Sequence, residues 1–244
     1  FNESYADAIA DKLGVRYVIS DVEMATGKFY AMAVWAEGSL RKASGMYYVG
    51  SAIAYITPSG MLGLTTDYFR VPPGSQTMIV SVPSESYFET MEAKLHILDG
   101  CGLSHYRMIY ESSPSFSLEE VVYRMIFNRY YAEKFGMPRV NLTPTGYVKI
   151  FEYVKGVKIT GRANADNVTV WVKIKTNQNR SFIWQKTVKV INGTYDVIVP
   201  YAQNTTYPVK PIGDYTIKAG NIVRTFSISD EDVEKGRSIE IDLI

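Results

Sequence analysis

Lys28 and Met32 stand four residues apart in the run Asp21-Val-Glu-Met-Ala-Thr-Gly-Lys28-Phe-Tyr-Ala-Met32. Read as a helix, that spacing sets both side chains on one face. The face offers an ammonium and a thioether side by side: a donor for an oxygen ligand, and a soft apolar surface that tolerates more than one shape. Asp21 lies two helical turns before Lys28, roughly on the same stripe. Gly27 interrupts the run, and glycine inside a helix costs about 1 kcal/mol relative to alanine, so a kink or a close backbone approach is expected there. The plainer reading is a surface lysine beside a core methionine, with Asp21 capping a helix where a strand hands over to it.

Two further groups have the residue types for chemistry. Lys94, His96 and Asp99 are close in sequence, and His and Asp three apart on a helix could touch a metal or work as acid and base. Asp99 precedes Gly100 at a helix end, where Asp commonly bonds its own backbone, and His96 reads as a hydrogen-bonded packing residue. Cys101 is the single cysteine; with no Cys/His pattern around it, it reads as an incidental thiol rather than a nucleophile. Gly45, Gly50 and Gly60 match no phosphate-binding spacing.

The elements that must position these residues follow from pattern and punctuation. Asn2 or Ser4 caps a helix to Leu13, Gly14 ends it, and Val15 to Ser20 is a strand leading into the Lys28 helix, which closes near Trp35 to Gly38. Residues 45–57 read as one or two strands with a bend at Gly50, and residues 61–83 as irregular, with a strand near Met78 to Val82. Ser86 and Glu89 have capping-box spacing for a helix to about Leu98; Ser117 and Glu120 repeat it for a helix to about Phe135. Tyr106 to Glu111 and Tyr147 to Val154 are strands. From about Gly156 the chain alternates apolar and polar residues in short runs separated by turn residues, such as Val168 to Ile174 and Tyr195 to Val199. The expected class is α+β: a mixed helix and strand core unit over residues 1–155, then a β-sandwich-like accessory domain over residues 156–244.

Composition narrows the function. The formal net charge of +1 across 244 residues gives no field that would select nucleic acid or an anionic surface. One cysteine and two histidines exclude a disulfide framework and a Cys- or His-rich metal cluster. No run approaches the ~20 apolar residues that span a bilayer. The chain opens almost directly into a helix without an initiating Met, so it is expected to be part of a longer protein.

Three blocks carry a resemblance: Leu13 to Met32, Tyr87 to Gly100, and His105 to Ser112. In this order they resemble the C-terminal globular region of the archaeal oligosaccharyltransferase catalytic subunit, over about residues 5–153. That family carries a D-x-x-K-x-x-x-M motif on a kinked helix, and Lys28 and Met32 match its second and third signature positions. In strict spacing the first position falls on Ala25; Asp21 fills it if one helical turn is inserted. The resemblance implies that Lys28 and Met32, with Asp21, help form the pocket for the Ser or Thr of an acceptor polypeptide's Asn-x-Ser/Thr sequon.

The resemblance further implies that the whole enzyme transfers a lipid-linked oligosaccharide to the sequon asparagine with Mg²⁺ or Mn²⁺. The metal would be held by acidic residues of an N-terminal multi-span membrane region, and this part would lie on the external face of the cell membrane, contain no catalytic or metal-binding residue of its own, and be inactive alone. The tripeptide Asn-x-Ser/Thr also occurs within the chain, at Asn2, Asn141, Asn167, Asn179, Asn192 and Asn204, which are candidate glycosylation acceptors. The rival reading, favoured by the missing Asp at position 25, is a non-catalytic extracellular binding or structural module that shares the fold.

Overall fold

Helix α1 (Glu3–Leu13) starts because the Asn2 side chain accepts the Tyr5 N–H, and it stops at Gly14, which takes the left-handed conformation (φ 63°) that ends helices cleanly. The computed structural model describes residues 2–244. Strand β1 (Tyr17–Asp21) follows, then α2 (Val22–Ala25) and α3 (Gly27–Glu37), closed by Gly38 at φ 66°. Helix α4 (Leu40–Tyr47), β2 (Tyr48–Ile56), β3 (Leu62–Thr65) and β4 (Gln76–Pro83) complete the first part. The three strands form an antiparallel sheet in the order β3-β2-β4.

Two expectations are corrected in this part. Residues 45–47 end a helix rather than begin a strand: Ser39 caps α4, and Ala43 is its buried contact. The strand starts only at Tyr48, with an irregularity between Tyr48 and Gly50. Residues 61–83 are also more regular than expected, because β3 and β4 gain their ladders from β2, a partner that local composition does not reveal.

Ser84, not Ser86, caps the next segment. It opens only a four-residue helix, α5 (Glu85–Phe88), and the chain then makes a wider π-type turn at Ala93–Ile97. That turn buries Ala93, Leu95, His96 and Ile97, so tertiary packing replaces the single helix that the capping spacing suggests. After β5 (Tyr106–Glu111) and the short β6 (Pro114–Ser115), Ser117 accepts the Glu120 N–H and starts α6 (Leu118–Ile126). A second π-type turn spans Phe127–Tyr131, and β7 (Thr145–Gly146) and β8 (Val148–Tyr153) follow. Strand β8 is central in an antiparallel sheet of order β1-β8-β5.

The remaining residues are β-rich: β9 (Val157–Arg162), β10 (Asn167–Lys175), β11 (Ser181–Lys189), β12 (Thr194–Val199), β13 (Lys210–Pro211), β14 (Tyr215–Ala219), β15 (Ile222–Phe226) and β16 (Ser238–Glu240). One short helix, α7 (Asp230–Lys235), carries a full capping box between Ser229 and Asp232. One sheet has the order β11-β10-β14-β15, with β13 also on β10; the other has β12-β9-β16, with β16 parallel to β9. Strand β10 alternates cleanly, with Val168, Val170, Val172 and Ile174 buried. Strands β9 and β13 and helix α7 are additions to what the sequence patterns indicate.

The hydrophobic core has two centres. One holds Val170, Trp184 and Val197 of the β-rich part together with Leu103, Tyr106 and Phe151, so it runs without interruption across residue 156. The other packs Phe29, Tyr87, Phe88, Val122 and Phe127 beneath the β3-β2-β4 sheet. The fold is α+β, as the sequence patterns indicate.

Candidate functional site

Lys28 sits just past a break in the helix. Asp21 Oδ1 accepts the Met24 N–H at 2.9 Å and caps α2, while the Val22 N–H is held by the Tyr147 carbonyl at 2.9 Å. Thr26 leaves the helical region, at φ −120° and ψ −101°, and its hydroxyl turns back to the Val22 carbonyl at 2.7 Å. The break thus falls at Thr26, one residue before Gly27. A Cβ built at Gly27 would meet nothing within 4 Å, so no close approach within the chain requires glycine there.

The break re-aims α3. Phe29 and Ala33 face inward, and the Phe29 ring meets the rings of Tyr87 at 4.9 Å and Tyr47 at 5.3 Å, both edge to face. The Tyr87 hydroxyl donates to the Ala25 carbonyl, which anchors the end of α2. Lys28, Ala31, Met32 and Trp35 form the outer stripe: Lys28 exposed, Met32 half-buried, and Trp35 89% exposed. Lys28 Nζ lies 2.5 Å from Glu23 Oε2. Lys28, and after it Tyr147, hold the Glu23 carboxyl below its ordinary value; Glu23 in turn raises the Lys28 pKa, keeping it cationic.

The structure therefore brings Lys28 and Met32 to one face and gives Asp21 the capping role that its position at the junction suggests. Ala25, the strict motif position, is fully buried. Glu23, Tyr147 and Trp35 are not singled out by sequence. Trp35 has a signal there, being seven residues from Lys28 and so on its stripe. The approach of Glu23 has none, because it depends on the break.

Lys94, His96 and Asp99 do not form one cluster. Lys94 is influenced by Glu3, Lys186 and Glu89, while His96 and Asp99 point into the core. Asp99, expected to bond its own backbone, is instead an ion-pair hub at φ 56°. Its carboxylate meets Lys149 at 2.8 Å, Arg180 at 2.7 and 2.9 Å, and Arg124 at 3.4 Å. Burial raises its pKa, but Arg180, Lys149 and Arg124 overcome this and hold the group well below the ordinary carboxylate range. His96 is fully buried, with Nε2 4.0 Å from Glu120 Oε1; burial, then Lys149 and Arg124, keep it neutral. A saturated carboxylate and an enclosed neutral imidazole have no access to a substrate proton. Burial pushes the Cys101 thiol up to about 12, the reverse of what a nucleophile needs.

All six Asn-x-Ser/Thr asparagines are exposed. Asn2 and Asn204 spend their side-chain oxygens on the Tyr5 and Asp230 N–H groups, while Asn179 and Asn192 sit in hairpin turns at φ 60° and 52°. An open cleft of about 670 Å³ lined by Asp7, Asp11, Arg16, His105 and Glu152 shares no residue with the Lys28 stripe. Among the described residues, no group of three or more His, Cys, Asp or Glu side chains could hold a metal ion, and no helix is long and apolar enough to cross a membrane.

Residues 156–239 match the family described as archaeal glycosylation protein B long peripheral domain. Over 99% of its length the chain is 45% identical to dolichyl-phosphooligosaccharide-protein glycotransferase 3 of Archaeoglobus fulgidus. It matches the C-terminal globular part of the archaeal oligosaccharyltransferase AglB. A solved structure of A. fulgidus AglB, in complex with an inhibitory peptide and a dolichol-phosphate, superposes with a TM-score of 0.87 at 43% identity, covering 99% of this chain. The A. fulgidus oligosaccharyltransferase tethered by a disulfide to an acceptor peptide with an NVT sequon gives 0.86 at 44% identity, again over 99% of this chain. The chain spans about a third of the length of these relatives, 32% for the glycotransferase and 32% and 33% for the two structures.

Proposed function

We propose that this chain is the external globular part of an AglB-type oligosaccharyltransferase and that Lys28 and Met32 recognise the hydroxyl-bearing residue of an Asn-x-Ser/Thr acceptor. One observation carries this reading. On α3, an ammonium anchored at Glu23 stands beside a half-buried thioether on an otherwise open face, in a chain similar over 99% of its length to an enzyme solved with a sequon peptide tethered to it. One N–H of Lys28 is taken by Glu23, which leaves others for a hydroxyl or carbonyl oxygen. Met32 offers a polarizable surface to a threonine methyl. A site that hydrogen-bonds a hydroxyl rejects a peptide lacking it, because its own donor would be left unpaired. Asp21 supports the pocket through its cap.

In this reading the whole protein is membrane-bound and transfers a lipid-linked oligosaccharide. Its divalent cation, Mg²⁺ or Mn²⁺, is held by acidic groups outside this chain, and the residues described above act on the acceptor alone. Residues 1–155 are the core unit that carries the pocket helix, and residues 156–244 an accessory domain locked onto it. The exposed asparagines of the six sequons are candidate acceptors on the protein's own surface.

The test is glycosylation of a sequon peptide by the full-length membrane protein, wild type against Lys28→Ala, with lipid-linked donor and divalent cation supplied. Loss of a charge-assisted hydrogen bond to the acceptor lowers kcat/KM by roughly 5- to 150-fold. Unchanged activity in the folded variant places acceptor recognition elsewhere. An inactive wild-type protein points to the non-catalytic module.

A further inference from the structure

We infer that Glu23 is a positioning residue for acceptor recognition, holding the Lys28 ammonium in place across the helix break; the inference rests on the reading of Lys28 as the acceptor contact. Residues five apart in an unbroken α-helix point roughly 140° away from each other and do not meet. Glu23 and Lys28 are five apart, yet Glu23 Oε2 and Lys28 Nζ lie 2.5 Å from one another. The non-helical conformation of Thr26 is what swings the start of α3 toward α2. The break therefore creates this ion pair, and the pair ties the two helical pieces together across it.

Glu23 is itself held from a second side. The Tyr147 carbonyl accepts the Val22 N–H at 2.9 Å, one residue before Glu23, and Tyr147 also helps to lower the pKa of the Glu23 carboxyl. Tyr147 immediately precedes β8, the central strand of its sheet, so the clamp is built on a rigid element. A lysine side chain has four rotatable bonds, and an unanchored ammonium would have to be ordered each time a peptide binds. Anchoring one N–H on Glu23 removes part of that cost while the remaining N–H groups stay available. Both side chains are about half exposed or more, at 61% for Lys28 and 48% for Glu23, so the pair is a surface feature with little work to do for the core.

The experiment is a double-mutant cycle on the full-length membrane protein: wild type, Glu23→Gln, Lys28→Ala and the double variant. Each is assayed with a sequon peptide, lipid-linked donor and divalent cation, and each is checked for an unchanged thermal melt. The expected result for Glu23→Gln is a roughly 3- to 10-fold rise in KM for the peptide with kcat nearly unchanged, in the lower part of the range for coupling between residues in direct contact because the pair is exposed. In the Lys28→Ala background, Glu23→Gln has no further effect, which a merely structural glutamate would not show. If Lys28→Ala is impaired and Glu23→Gln is not, the positioning role is overturned while the reading of Lys28 stands. Faster turnover in Glu23→Gln also overturns it, because Glu23 then competes with the acceptor for Lys28. If Lys28→Ala is fully active, the underlying reading fails and the inference with it.

Discussion

Lys149 Nζ lies 2.8 Å from Asp99 Oδ1, with both side chains at or below 1% exposure. The pair is the centre of a buried charge cluster that joins distant parts of the chain. Lys149 comes from β8, Arg124 from α6, and Arg180 from the turn between β10 and β11. Arg180 also reaches Glu111 Oε2 at 2.6 Å, and Thr176 donates to the same carboxylate at 2.5 Å. The cluster thus fixes the β-rich part to the α+β part with charge-assisted bonds as well as with shared core.

Asp99→Asn keeps the shape of this hub and removes its charge. Three cations then lose their common counter-ion in a site that water does not reach. Breaking one side of a buried pair costs about 3–5 kcal/mol, and chemical denaturation of the variant should show a loss of that order. Asp196→Asn, at the exposed pair with Lys158, serves as the control and should leave the transition in place.

Stability should fall on mild acidification because of His96. Burial, with Lys149 and Arg124, keeps the imidazole neutral in the fold, while the unfolded chain takes up a proton near 6.5. Below that pH the unfolded state binds the extra proton, so stability drops by about 1.4 kcal/mol per pH unit. Denaturation at pH 7.5 and 5.5 should reveal this slope in the wild type and its absence in His96→Phe. Asp99, with its lowered pKa, adds a second loss only as pH falls below 3.8. Lys149, pushed down to about 8 first by burial, acts at the alkaline end: between about 8 and 10.5 the unfolded chain holds a proton the fold has released, so stability rises with pH in that window.

Gly161→Ala should destabilise the β12-β9-β16 sheet. A Cβ at this position would lie 2.0 Å from the Ile241 carbonyl oxygen and 2.7 Å from its carbon. Those atoms belong to backbone next to β16 and cannot rotate aside. Overpacking of this kind costs typically 1–3 kcal/mol, and the thermal midpoint should fall accordingly.

Much of the architecture is legible in local pattern. Asn2 and Gly14 bracket α1, Ser117 starts α6, and the alternation of β10 and β12 survives intact because each buries one face. Lys28 and Met32 stand out through a resemblance rather than through spacing, since the same spacing serves a surface lysine beside a core methionine equally well. What stays hidden is non-local. Asp99 meets cations 25, 50 and 81 residues away, and no periodicity reports such partners. The π-type turn over Ala93–Ile97 is likewise selected by what packs on it, and so a capping signal at Ser86 points to a helix that tertiary contacts break up.

The interruption at Thr26 makes the relation between Asp21 and Lys28 one of packing rather than of helical count. Asp21 and Lys28 are fastened to separate helical pieces, one capped on β1 and held by Tyr147, the other packed through Phe29 on Tyr87. The Glu23–Lys28 ion pair spans the joint between the two pieces. Where such a joint lies between an acid and a lysine, their separation in sequence therefore does not measure their separation in space.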